Sequence, residues 1–152
     1  MALPSVFDAK TTEETFKRLE KITYVSKPQW GKMNSAQMLA HLNVAYDLAY
    51  NRIPYKSSFF KKFILKLLVK PLVVSEKPYK KNSHTAPEFI IADERDFEKE
   101  KSKFIDNVKQ TEAHGANYFE GRESTSFGAM TAKEWSTQFY KHIDHHFTQF
   151  GV

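Results

Sequence analysis

Thr131-Ala132-Lys133-Glu134-Trp135-Ser136-Thr137-Gln138-Phe139-Tyr140-Lys141-His142-Ile143-Asp144-His145-His146-Phe147-Thr148-Gln149-Phe150-Gly151-Val152 is the stretch that decides the fold. A threonine followed three positions later by Glu134 is a capping box, which opens a helix. Trp135, Phe139, His142, His146 and Phe150 then recur at steps of four and three, one stripe of a helix that faces a core. Lys141, Asp144, His145 and Thr148 fall to its sides or behind. His142 and His146 therefore stack one turn apart on the buried face. Two imidazoles at that spacing can share a divalent ion. The alternative is that tyrosines, carboxylates or buried water satisfy their nitrogens without a metal. His145 lies about 100° round the helix from His146, among the polar Gln138, Lys141 and Gln149, so it is exposed or supports the pair.

A third ligand requires a histidine leaning inward from another helix. His41 meets that condition within Gln37-Met38-Leu39-Ala40-His41-Leu42-Asn43. This segment starts at Asn34, with Gln37 three residues on, and runs to about Tyr50, its stripe carried by Met38, Leu42, Ala45 and Ala49. Taken alone, His41 reads as a satisfied core residue; beside the pair, it reads as a ligand. His41, His142 and His146 would leave at least one position of an ion open to water or substrate, as catalytic sites do. Asp47, a turn or two along from His41, is a further candidate for a supporting or proton-transfer role, as is His145. His84 and His114 sit in connecting segments and are left out of the site.

Outward from these two helices, Thr11-Thr12-Glu13-Glu14 predicts a capping box and a first helix of about four turns stopped at Lys27-Pro28. Ser57 to Val69 predicts a short helix with Phe60, Ile64, Leu67 and Leu68 inward and Lys61, Lys62 and Lys66 outward, ended by Pro71. The segment from Pro71 to about Ile91, with prolines at 71, 78 and 87, predicts an irregular connection. Asp93 to about Gln110 is charged but carries Phe97, Phe104, Ile105 and Val108 on one face, which makes it a surface helix. An irregular stretch follows His114-Gly115. With no persuasive strand, the expectation is an all-α, four-helix bundle with an extra short helix and long loop-rich connections, a single domain over residues 1–152.

Composition narrows the chemistry. There is no cysteine, which excludes disulfides, zinc–thiolate sites and thiol nucleophiles, so any ion has nitrogen and oxygen ligands. No Gly-x-Ser-x-Gly, phosphate loop or His-Glu-x-x-His motif is present. Residues 56–81 hold eight lysines against the single acid Glu76, a local excess larger than the net +5 of the whole chain. Such a patch can attract anionic partners. Without a nucleic-acid-reading motif beside it, it reads as a solvated face, and no nucleic acid is expected. The absence of a signal peptide or an uninterrupted apolar span predicts a cytoplasmic protein with no membrane span.

Several phrases carry a resemblance. The ending His142-x-x-His145-His146-x-x-Gln149, Trp30-Gly31-Lys32-Met33 with Gln37-Met38-Leu39-Ala40-His41, and Phe127-Gly128 with Met130-Thr131 and Glu134-Trp135 are similar to motifs of the DinB/YfiT-like superfamily. More narrowly, they are similar to a DinB-like family of unknown function. The resemblance implies a four-helix bundle with one metal held by three histidines, which fall on His41, His142 and His146. It also implies a His-Pro before the Phe-Gly, where this chain has Ser124-Thr125-Ser126, a departure that bears on substrate. Some members of that superfamily resemble thiol-dependent transferases or isomerases.

Two functions follow as expectations. One is a metal-dependent transferase or hydrolase using zinc, nickel or iron, with a small-molecule substrate or thiol as partner. The other is a non-enzymatic binding module, with a structural metal or none, that takes a small ligand or an anionic partner. A homodimer is compatible with either.

Overall fold

A computed structural model describes residues 2–152, and the chain is mostly helical. The helices are α1 (Ala9–Leu19), α2 (Ser35–Ala49), α3 (Phe59–Ile64), α4 (Lys70–Val74), α5 (Phe97–Phe119) and α6 (Ala132–Gln149). Strands β1 (Arg122–Ser124) and β2 (Gly128–Met130) form one antiparallel hairpin with Glu123 opposite Ala129. Among the described residues, no helix is long and apolar enough to cross a membrane.

α2 and α6 begin where their caps dictate. Asn34 and Gln37, and likewise Thr131 and Glu134, satisfy each other's backbone donors reciprocally. α2 is buried on nearly all sides, and this decides what its residues do. Asn43 and Asp47 turn toward α5, where Asn43 bonds Glu100 and Asn107. His41 lies on the face toward α6. Tyr46 stacks on Phe139 of α6 with ring centroids 4.7 Å apart, and Phe104 of α5 packs against Phe147, so aromatic residues weld α2, α5 and α6. α1 is strapped to α6 through Arg18, which pairs with Asp144 at 2.8 Å and donates to the Val152 carbonyl.

Five expectations need correction. α1 starts at Ala9 behind Asp8 and stops at Leu19, short of Lys27-Pro28; Thr11 and Thr12 are buried within its first turns rather than capping it. The third helix does not end at Pro71. A π turn over Leu65–Val69 joins α3 to α4, and Pro71 sits in the first turn of α4, where its missing N–H costs little. The inward face of that segment is Leu65, Val69 and Val73; Phe60, Leu67 and Leu68 are exposed. α5 continues to Phe119, although Gly115 (φ 69°) breaks its helical geometry, and this places His114 within the helix, stacked on Tyr118. The stretch after it holds the hairpin, whose Arg122 donates to the Ala49 carbonyl at the end of α2.

Candidate metal centre

The histidine pair of α6 and the histidine of α2 meet. His142 Nε2 lies 2.8 Å from His41 Nε2. The ring centroids of His41, His142 and His146 are 4.6–5.0 Å apart. One nitrogen from each ring falls within 4.8 Å of the others. A tetrahedral ion with bonds of about 2.0–2.1 Å holds its nitrogen ligands about 3.3 Å apart, a spacing bracketed by the separations here.

Hydrogen bonds outside the cluster fix which nitrogen faces inward. His41 Nδ1 is 2.7 Å from the Phe89 carbonyl, which can only accept. Nδ1 therefore carries the proton and Nε2 presents a bare lone pair. His146 is set the same way. Gln149 donates its amide nitrogen to the Trp30 carbonyl at 2.7 Å, which turns its oxygen to His146 Nδ1, also at 2.7 Å. With His41 Nε2 bare, the short His41–His142 contact is closed by a proton on His142 or by a cation that both nitrogens face. Metal-binding histidines are oriented by outer hydrogen bonds of this kind.

Burial keeps the cluster neutral. His142 is held well below the ordinary imidazole range, first by desolvation and then by His41 and His146. Desolvation pushes His146 down to about 3 and also lowers His41. Neutral imidazoles are the form that ligates.

The three histidines border a cleft of about 990 Å³, roomy enough for a small molecule by the usual 300–1,000 Å³ scale of ligand pockets. Its walls are largely apolar, with Leu65, Val69 and Val73 on one side and Trp135 and Phe127 on another. Ser124, Thr125 and Ser126 also face it. His145 borders the cleft beside Trp30 and Tyr79. Asp47 does not. It lies on the opposite side of α2, paired with Lys103 at 2.6 Å and Arg52 at 3.3 Å. His84 lines the cleft as an exposed residue.

By sequence Gln149 and Lys141 are polar side positions of the last helix, yet both are buried. Lys141 Nζ donates to the Leu72 and Val73 carbonyls at 2.7 and 3.2 Å, tying the end of α4 to α6, and burial pushes it down to about 8. The signal for Gln149 was present in its spacing, one turn from His146. The Phe89 and Trp30 carbonyls carry no side-chain signal at all.

Residues 6–151 match a family model described as a protein of unknown function, DUF1569. The chain belongs to the DUF1569 family. No curated protein and no solved structure matches it. For this DUF1569 chain, the chemistry of the site rests on the geometry above.

Proposed function

We propose that this chain is a DinB/YfiT-like four-helix bundle built round a divalent transition-metal centre, and that it works as a metal-dependent transferase or hydrolase. His41, His142 and His146 would hold the ion, with zinc, nickel or iron suited to all-imidazole ligation. The observation that carries this is the convergence of the three rings at the edge of a ligand-sized cleft, two of them locked by Phe89 and Gln149 with the ligating nitrogen inward. When bound, the ion supplies Lewis acidity toward a water or thiol beside it.

The chain's own residues do the rest. Phe89 and Gln149 keep the imidazoles from rotating, the apolar walls offer contact to the apolar parts of a bound molecule, and His145 stands beside the cluster within reach of it. The open cleft favours a small-molecule substrate over a purely structural ion. Ser124-Thr125-Ser126 line that cleft where the resembled family carries His-Pro, so the substrate is expected to differ from that of such relatives.

Metal analysis of protein made without a histidine tag tests the centre. About one ion per chain, lost in His142→Ala, is the expected result; a chain that takes up no zinc, nickel or iron overturns it. Thiol-transfer and simple ester substrates then test the activity. Turnover that disappears with His142→Ala supports an enzyme, and none across such a panel with the ion bound leaves a binding module.

A further inference from the structure

The segment Ser58–Val74 has two unlike sides. Leu65, Val69 and Val73 form one wall of the cleft. The other side carries Phe59, Phe60, Phe63, Leu67, Leu68 and Leu72, each between 54% and 89% exposed. At 3.6 residues per turn the three phenylalanines share a face. The π turn at Leu65–Val69 adds a residue to the winding, which keeps Leu68 and Leu72 on that face instead of rotating them into the protein. Six large apolar side chains on one short segment form more apolar surface than scattered exposure produces, and such a patch marks an interaction site.

The lysines beside it indicate what it meets. Residues 56–81 carry eight lysines and one acid. Lys61, Lys62 and Lys70 are neutralised by Glu88, Glu123 and Glu134 on the body of the protein. Lys56, Lys66, Lys77 and Lys80 have no acidic partner among the described residues. An apolar face on a segment too short to span, with unpaired lysines before, within and after it in sequence, is the pattern of a helix that lies in the headgroup region of an anionic bilayer. A second copy is a poor occupant, because apposing two such faces would set one lysine-rich segment against another. An oligonucleotide would leave the leucines without a partner, since it offers stacking bases and phosphates rather than aliphatic surface.

We infer that Ser58–Val74 docks this protein on an anionic membrane surface, with Phe59, Phe60, Phe63, Leu67, Leu68 and Leu72 entering the acyl boundary and the free lysines meeting lipid phosphates. The cleft wall would then lie directly behind the lipid contact. The inference does not depend on the metal reading, and His142→Ala is expected to keep its membrane binding.

The full chain is sedimented with phosphatidylcholine vesicles, with and without phosphatidylglycerol, at low and physiological salt. Binding to the mixed vesicles that weakens with salt is expected, with little binding to phosphatidylcholine alone. Phe60→Ser and Leu67→Ser each lower partitioning about tenfold. Lys66→Gln and Lys80→Gln each lower it about fivefold. All four positions are exposed, so the helical circular dichroism stays unchanged. Phe63→Trp adds a direct readout, a blue shift of emission on mixed vesicles. The inference is overturned by absence of vesicle binding at low salt, or by binding insensitive to the two serine substitutions. Self-association or oligonucleotide binding that replaces vesicle binding overturns it equally.

Discussion

Gln149→Met removes both functions of the Gln149 amide while keeping the length of the side chain. Wild-type Gln149 accepts from His146 Nδ1 and donates to the Trp30 carbonyl, each at 2.7 Å, and it is buried. Methionine leaves the buried His146 N–H and the part-buried Trp30 carbonyl without partners, which costs about 1–3 kcal/mol for the buried group and somewhat less for the carbonyl. A loss of roughly 2–5 kcal/mol in unfolding free energy is therefore expected. His146 is also freed to rotate or change tautomer, and outer hydrogen bonds of this type are worth about 10–100-fold in metal affinity. Gln149→Glu separates the two effects. Its carboxylate still accepts from His146 and strengthens that imidazole as a ligand, but it faces the Trp30 carbonyl with no donor. The expected pattern is lower stability for both variants and lower metal affinity for the methionine variant alone. Chelator-competition titration and urea unfolding measure the two quantities. Equal metal affinity in wild type and Gln149→Met would refute the orienting role of Gln149.

Three other outcomes are expected. Above pH 6.5 the cluster histidines are neutral in both folded and unfolded chains. Below it the unfolded chain gains protons that the fold refuses, so stability falls with pH. With His146 held down to about 3, that residue alone removes about 1.4 kcal/mol per pH unit between roughly pH 6 and 4, a slope that urea unfolding should find flattened in His146→Ala. Asp47→Asn weakens the pairs with Lys103 and Arg52 and should cost about 1–2 kcal/mol while leaving the metal stoichiometry at the wild-type value. Lys141→Met deletes the donor to the Leu72 and Val73 carbonyls; faster proteolysis and amide exchange across residues 65–74 should follow, with the rest of the exchange map unchanged.

What was legible in the sequence had a local cause. α2 and α6 could be bounded because Asn34/Gln37 and Thr131/Glu134 are complete capping boxes, and the histidines were picked out by the apolar stripe they interrupt. Thr11 and Glu14 have the same spacing, yet they fall inside α1, because the chain already turns at Asp8. The hairpin strands are three residues each, Arg122–Ser124 and Gly128–Met130, too short for a period of two to declare itself. In Ser57 to Val69 the rule that apolar faces are buried points Phe60, Ile64, Leu67 and Leu68 inward. The π turn shifts the winding, and a different set, Leu65, Val69 and Val73, packs inside. Distance along α2 sets Asp47 near the site, but its angle round the helix puts it with Lys103 on α5.

The nitrogens of His41 and His142 are 2.8 Å apart in space and 101 positions apart in the chain. During synthesis His41 leaves the ribosome early and has no partner until the final helix has been made. A nascent or stalled chain thus holds one imidazole of the set, which binds a transition ion only weakly. On the proposed metal reading, loading would be a late event that reports a finished fold, because closing so long a loop requires the packing of α2 against α6 first. Metal content per chain would then measure the yield of correctly folded molecules in a preparation.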